Sequence, residues 1–230
     1  MRFPKDLGVV SAKYESGGNG VDFVSNGSSW GDPGGDSYGV HQLSSAYSMG
    51  AFLRSDFGKP YAGKFSGMKP GSNSFNRKYK QVARADMAGF GYAMKAFYAT
   101  THYIPVKLHA LKKGFMVDDR GVQEALFSMS VQHGKAKLIV NEAAAGGIPP
   151  TAEQQIRKLF KERSEYVNGL RSLSRKIKSN IVNNRYKNEV EDAVEWAGSK
   201  YEGEMQEPVN PSIYLDEDVP QLGAGMKRLF

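Results

Sequence analysis

Eight of the chain's 26 glycines fall within residues 14–45, and together they forbid a continuous helix there. Glycine costs backbone entropy and is used where a chain turns sharply or approaches a ligand closely. Ser16-Gly17-Gly18 ends the helical pattern that precedes it, while Asn26-Gly27 and Asp32-Pro33-Gly34-Gly35 are turn sequences. Between the turns, Val21-Asp22-Phe23-Val24 suits a short strand. Ser37–Gln42 alternates like another, and a helix is expected from near Ser44. A chain with this segment near its start must fold as helices around a small β-hairpin element. The fold class read from the sequence is therefore mainly α (α+β).

Three of the segment's four carboxylates are candidates for chemistry: Glu15 where the first helix gives out, and Asp32 and Asp36 in the glycine-rich run. A rigid helix end facing a hairpin is one way to hold two carboxylates across a groove, which glycoside hydrolysis requires. A carboxylic acid shielded from water at such a helix end can be raised in pKa enough to protonate a glycosidic oxygen. The plainer reading of Glu15 is a solvated helix-end glutamate, and Asp32-Pro33-Gly34 is also an ordinary turn.

Whole-chain properties narrow the function classes. With 230 residues, the chain suits one sizeable domain or two small ones. No cysteine is present, which removes disulfides, thiolate metal sites and cysteine nucleophiles. No run approaches the ~18–20 apolar residues of a membrane span. The start, MRFPKDLGVV, lacks the apolar core of a secretory signal, so no signal peptide is expected. The net charge of +7 favours a polyanionic partner such as nucleic acid, anionic lipid or an acidic cell wall. It is unevenly spread: residues 198–230 hold three cations against six carboxylates, leaving +10 on residues 1–197. Residues 1–197 are thus expected as the catalytic body, and 198–230 as an acidic, proline-containing tail, disordered or docking a partner.

Helices are expected over residues 4–15, 44–56, 75–83, 86–101, 103–113, 119–133, 135–145, 151–166, 170–183 and 185–197, with a loop between the second and third. Val122, Ala125, Leu126 and Met129 mark 119–133 as the central one, and Thr151-Ala152-Glu153-Gln154 resembles a capping box. Arg171, Arg175, Lys176, Lys178, Arg185 and Lys187 lie within 17 residues without an acidic neighbour. They would grip an anionic envelope, or simply form the solvated face of an amphipathic helix.

Three further stretches complete the pattern: Thr101-His102-Tyr103, Ser130-Val131-Gln132-His133-Gly134 and Asn184–Glu189. With Glu15-Ser16-Gly17-Gly18, Gly31–Gly35 and Ser37–Ser44, and in this order, they resemble the peptidoglycan hydrolases of bacteriophages. These belong to the lysozyme superfamily and also occur as domains attached to type VI secretion spike proteins. The resemblance covers residues 8–197 and implies a lysozyme-like body whose hairpin flanks the active-site cleft. It implies Glu15 as general acid, with Asp32 first and Asp36 second as the base that activates or positions water. It places Ser37, Tyr38 and Gln42 on a substrate-binding strand, although Tyr38 is equally suited to hairpin packing, and sets His102 and His133 in or beneath the cleft.

The expected activity is muramidase-like cleavage of β-1,4 bonds in bacterial peptidoglycan, with no cofactor. The rivals are a lytic transglycosylase using Glu15 alone, a chitosanase-like enzyme, and a virion, spike or nucleic-acid-binding protein with a non-catalytic lysozyme fold. None of His41, His102, His109 and His133 forms a recognised ligand pair, so no metal is expected. The expected partners are peptidoglycan and, through the tail, a phage virion or a secretion-spike protein. Nucleic acid is not expected, and the chain is expected as a monomer. Such a protein would be made in the host cytoplasm, act at the cell wall or periplasm, and serve as an endolysin or travel with a virion.

Overall fold

A computed structural model describes residues 3–4, 6–27, 34–202 and 205–206. In chain order the elements are β1 (Phe3–Pro4), α1 (Val9–Glu15), β2 (Val24–Ser25), β3 (Ser37–Tyr38), β4 (Leu43–Ser44), α2 (Ser48–Arg54) and α3 (Lys59–Ala62). A 3-10 turn (Gly63–Phe65) leads to α4 (Asn73–Ala85) and α5 (Met87–Tyr98), and a π-helical turn (Ala99–Tyr103) to α6 (Ile104–Lys112). Then come α7 (Arg120–Gln132), α8 (Ala136–Ala144), α9 (Ala152–Gly169), α10 (Arg175–Asn180), a second π-helical turn (Ile181–Tyr186), α11 (Lys187–Val194) and β5 (Met205–Gln206). The described residues are mainly α, as the sequence implied, with a small three-stranded antiparallel sheet (β2-β3-β4) and an antiparallel pairing of β1 with β5.

Two compact units divide the described chain. One is built from the start of the chain through Tyr14 together with the segment from His102 onward, and the other from Glu15–Thr101. In the first, α7 is buried on every side from Gly121 to Gln132 and packs against α6, α9 and α11. A helix enclosed all round needs neighbours on each face, and that makes α7 the axis of its unit. Gly121 permits the approach of α11: a Cβ there would lie 2.5 Å from the Ala193 carbonyl oxygen. In the second unit, α2, α4 and α5 gather an aromatic core. Phe52 meets Phe90 at 5.8 Å and Tyr38 meets Tyr79 at 4.8 Å between ring centroids.

Helix starts follow local chemistry. Ser72, Asp86, Asp119, Thr151 and Ser174 each accept a hydrogen bond from a backbone N–H in the first turn of the helix they precede. Four local expectations are corrected. The first helix begins at Val9 and not at Pro4, because Phe3–Pro4 pair with Met205–Gln206 as a strand. The expected loop after α2 contains α3 and the 3-10 turn. The helix expected over 170–183 is reduced to α10 and a π-helical turn, because Ser174 caps a new start. Arg171 therefore precedes that helix and shares no helical face with Arg175 and Lys178.

The boundary expected at residue 198 lies inside packed structure. Gly198 N donates to Asp119 Oδ2 (2.7 Å), and Arg120 N donates to the Ser199 carbonyl (3.0 Å). The Arg120 guanidinium stacks 3.4 Å from the Trp196 ring centroid and also covers Tyr201. Residues 207–230, which hold most of the expected tail, lie outside the described residues.

Candidate active site

Glu15 is the last residue of α1, and its position follows from the two residues after Ser16. Gly17 and Gly18 have φ of +62° and +80°, left-handed values that glycine adopts without strain and that stop a helix. A Cβ at Gly18 would meet nothing within 4 Å, so this glycine is required by conformation and not by space. Ser16 Oγ then donates to the Asn19 carbonyl (2.9 Å), closing the loop that follows the half-exposed Glu15.

Asp36 sits just before β3 in the same compact unit and is 3% exposed. Asn76 of α4 donates from Nδ2 to Asp36 Oδ2 at 2.6 Å. The other end of that amide accepts from the Tyr38 hydroxyl at 2.6 Å, and the same hydroxyl accepts from Gly71 N at 2.7 Å. One polar chain thus runs from Asp36 through Asn76 and Tyr38 to the backbone before α4. Tyr38 is fully buried against Phe75 and Tyr79. Burial pushes its phenol well above the ordinary value, so it stays a neutral donor at physiological pH.

Ser37 lies in β3, the central strand of the sheet, with Ser25 and Ser44 opposite it on its two neighbours. The strand expected to continue to Gln42 ends at Tyr38, because Gly39 (φ +70°) and Gln42 (φ +55°) bend the chain into the β3–β4 turn. The alternation expected for residues 36–41 therefore stops at the turn. Gln42 Nε2 donates back to the Gly39 carbonyl (2.7 Å), and Gly39 N donates to the Phe23 carbonyl (2.8 Å). Buried in this turn, His41 meets Tyr98 edge-on at 6.0 Å between ring centroids. Burial, reinforced by the Lys95 charge, lowers its pKa to about 3, so it is a neutral packing group.

His102 and His133 belong to the other unit. Burial lowers His102 to about 4. His133, at the end of α7, lies in a polar cluster beneath α11, where its Nε2 is 2.7 Å from the Tyr186 hydroxyl. That hydroxyl donates to Gln132 Oε1 (2.6 Å), which also accepts from Arg163 Nη2 (2.5 Å). Burial, with Arg163 and Arg185 adding to it, holds His133 well below the usual histidine range. Glu189 centres the cluster, accepting from Arg163 Nη1 and Arg185 Nε at 3.0 Å each, and from Ser128. Among the described residues no group of three or more His, Asp and Glu is arranged to hold a metal ion.

Of the candidate residues, Glu15, Asp36, Ser37, Tyr38 and Gln42 are gathered in one unit, while His102 and His133 are not among them. Asp32 lies outside the described residues. Asn76 carried no sequence signal: it lies 40 residues from Asp36 within a strongly polar helix. Only the fold brings the two together.

The family model described as type VI secretion system spike protein VgrG3-like, C-terminal, matches residues 7–190. This chain belongs to that family. Among curated proteins, the type VI secretion system spike protein VgrG3 of Vibrio cholerae serotype O1 is 33% identical over 138 residues. That match covers 59% of this chain and 13% of the relative. The family's matched span takes in Glu15, the β3–β4 turn, His102, His133 and Glu189. No helix among the described residues of this VgrG3-like C-terminal chain is long and apolar enough to cross a membrane.

Proposed function

We propose that this chain is a peptidoglycan-degrading glycoside hydrolase, muramidase-like in its chemistry, that cleaves β-1,4 bonds of the bacterial wall glycan. The observation that carries the reading is the pair of carboxylates in one unit. Glu15 is half-exposed on a glycine-terminated helix end, and Asp36 is buried and oriented by Asn76. Membership of the VgrG3-like C-terminal family supports it.

In this reading Glu15 protonates the leaving glycosidic oxygen. Asp32 is the first choice for the carboxylate that activates or positions water. Asp36, fixed by the Asn76 amide and removed from solvent, is the second choice and also braces β3 under Ser37. The same burial gives specific support to a lytic transglycosylase reading, in which Glu15 acts alone and the product carries an anhydro sugar. Work at the cell wall, delivered by a secretion spike or a phage particle, fits the family and the basic body.

Purified peptidoglycan digested by the wild type and by Glu15→Gln, Asp32→Asn and Asp36→Asn, with products resolved by mass spectrometry, tests these roles. We expect reducing-end muropeptides from the wild type and a loss of at least about 100-fold with Glu15→Gln, the usual scale for a positioned general acid. Anhydro products from the wild type would move the protein to the transglycosylases. Full activity in Glu15→Gln would end the assignment of Glu15.

A further inference from the structure

The unit that holds Glu15 and Asp36 also carries a groove of about 680 Å³ between α2 and the turn leading into α4. Two cations line it, Arg54 from the end of α2 and Lys69 from the turn, together with Tyr47, Ser45, Gly71 and Ser72. Among the described residues neither cation forms an ion pair. Arg54 has a local reason to be cationic, because it sits in the last turn of a helix. Lys69 has none. Tyr47 is 43% exposed, unusual for so large a ring in a unit that encloses most of its aromatics.

The groove is preformed. Ser72 Oγ donates to the Lys69 carbonyl (2.7 Å) while accepting from Phe75 N, which fixes the turn against α4. Gly71 (φ +88°) brings that turn so close to β4 that a Cβ would lie 3.2 Å from Ser45 Oγ. A Cβ on Gly50 would lie 3.4 Å from Arg54 Nη1, so the guanidinium lies back along α2 on the groove side. The groove is also wired to the candidate site. Gly71 N donates to Tyr38, Tyr38 to Asn76 and Asn76 to Asp36, so its wall and the Asp36 carboxylate share one hydrogen-bonded chain.

We propose that this groove binds a carboxylate-bearing portion of the glycan, Arg54 and Lys69 holding the carboxylate and Tyr47 covering an apolar sugar face. A guanidinium matches a carboxylate with two parallel N–H donors, an ammonium adds a point charge, and a tyrosine offers an apolar body with a polar tip. This rests on the peptidoglycan reading and sharpens it. Wall glycan carries carboxylates, on the stem peptides or on the lactyl ether once those are removed, whereas chitin has the same linkage and N-acetyl groups without them.

The test is cosedimentation of the full chain carrying Glu15→Gln, with and without Arg54→Gln and Lys69→Gln. The polymers are intact peptidoglycan, amidase-stripped wall glycan and chitin. We expect tighter binding to wall polymers than to chitin. Each cation's removal should weaken it about tenfold, the scale of one charge-assisted contact, with chitin binding unchanged. A loss on intact peptidoglycan alone assigns the carboxylate to the stem peptide, and a loss on both wall polymers to the lactyl group as well. Unchanged wall binding, or an equal loss on chitin, overturns the proposal. If the wild type still digests the wall in that case, only the groove assignment falls. No binding and no digestion by any form removes the hydrolase reading and this one with it.

Discussion

Two carboxylates in the α7-centred unit, Glu124 and Glu189, are equally buried, at 0% exposure each, and are held in opposite ways. Glu189 lies between cations. Burial pushes its pKa up, but Arg163 and Arg185 outweigh burial and leave it below the ordinary value. Glu124 is hydrogen-bonded by neutral donors, Gly8 N at 2.9 Å, Val10 N at 3.0 Å and the Tyr201 hydroxyl; these and the weaker pull of the Arg120 charge do not offset burial, and the pKa rises. Both bear on the helix that ends in Glu15. Glu124 caps the first turn of α1, and α11, which carries Glu189, also carries Asp192, which accepts from Tyr14 and Lys13 near the other end (2.6 Å each). Burial alone therefore does not decide a carboxylate's state; the formal charge of its partners does.

The largest effect is expected from Glu189→Gln. It would strand two guanidinium groups, Arg163 at 1% exposure and Arg185 nearly as buried, with no full countercharge. Breaking a buried pair from one side costs ~3–5 kcal/mol, a large part of the stability of a domain this size. Urea unfolding at pH 7 would read it. A Glu189 folded-state pKa below the unfolded one contributes stability above the unfolded carboxyl range, lost as pH falls through the folded value. The penalty of Glu189→Gln should therefore shrink toward pH 3. A loss under 1 kcal/mol at pH 7 would mean the arginines find other partners.

How far this arrangement could be read in advance depends on the range of the interactions involved. Glu15 at a helix end, the central helix expected over 119–133 and found at Arg120–Gln132, and the Thr151 cap were legible because caps, glycine stops and 3.6-residue periodicity act within one or two turns. The β3–β4 turn was not, since Ser37–Gln42 alternates as well as a strand does; the turn shows in the left-handed φ of Gly39 and of Gln42, the latter a residue that rarely adopts it. Pro4 suited a helix start until a strand some 200 residues later paired with it. Asn76, Arg163 and Glu124 take their roles from contacts 26 to 116 residues away, and no local pattern encodes those.

A middle-sized effect is expected from Glu124→Gln, which keeps one acceptor but turns an amide NH2 toward a backbone N–H of α1. One buried donor is left without a partner, at ~1–3 kcal/mol. The pH dependence sharpens the contrast with Glu189. A raised folded-state pKa contributes stability that is fully present below the unfolded carboxyl value and is lost as pH rises through the folded value. The penalty of Glu124→Gln should thus be greater near pH 4 than near pH 8, opposite in direction to that of Glu189→Gln. Penalties that moved together with pH would erase the distinction between the two sites.

The smallest effect tests whether Tyr201, past the boundary expected at residue 198, belongs to the Glu124 site. Its hydroxyl donates to the same Glu124 oxygen that receives Gly8 N, and its bond lowers the Glu124 pKa against burial. Tyr201→Phe removes that donor and leaves the ring under Arg120, so packing changes little. We expect a cost of ~0.5–1.5 kcal/mol at pH 7 that fades below the Glu124 pKa, because the lost bond favours the charged carboxylate. Hydrogen exchange at Gly8 and Val10 should quicken slightly, since the acceptor that caps α1 would spend more time protonated. A cost independent of pH would reduce Tyr201 to a packing group. Unchanged exchange in α1 would show that the first turn of the Glu15 helix is held by its own backbone and the surrounding core, with Glu124 incidental to it.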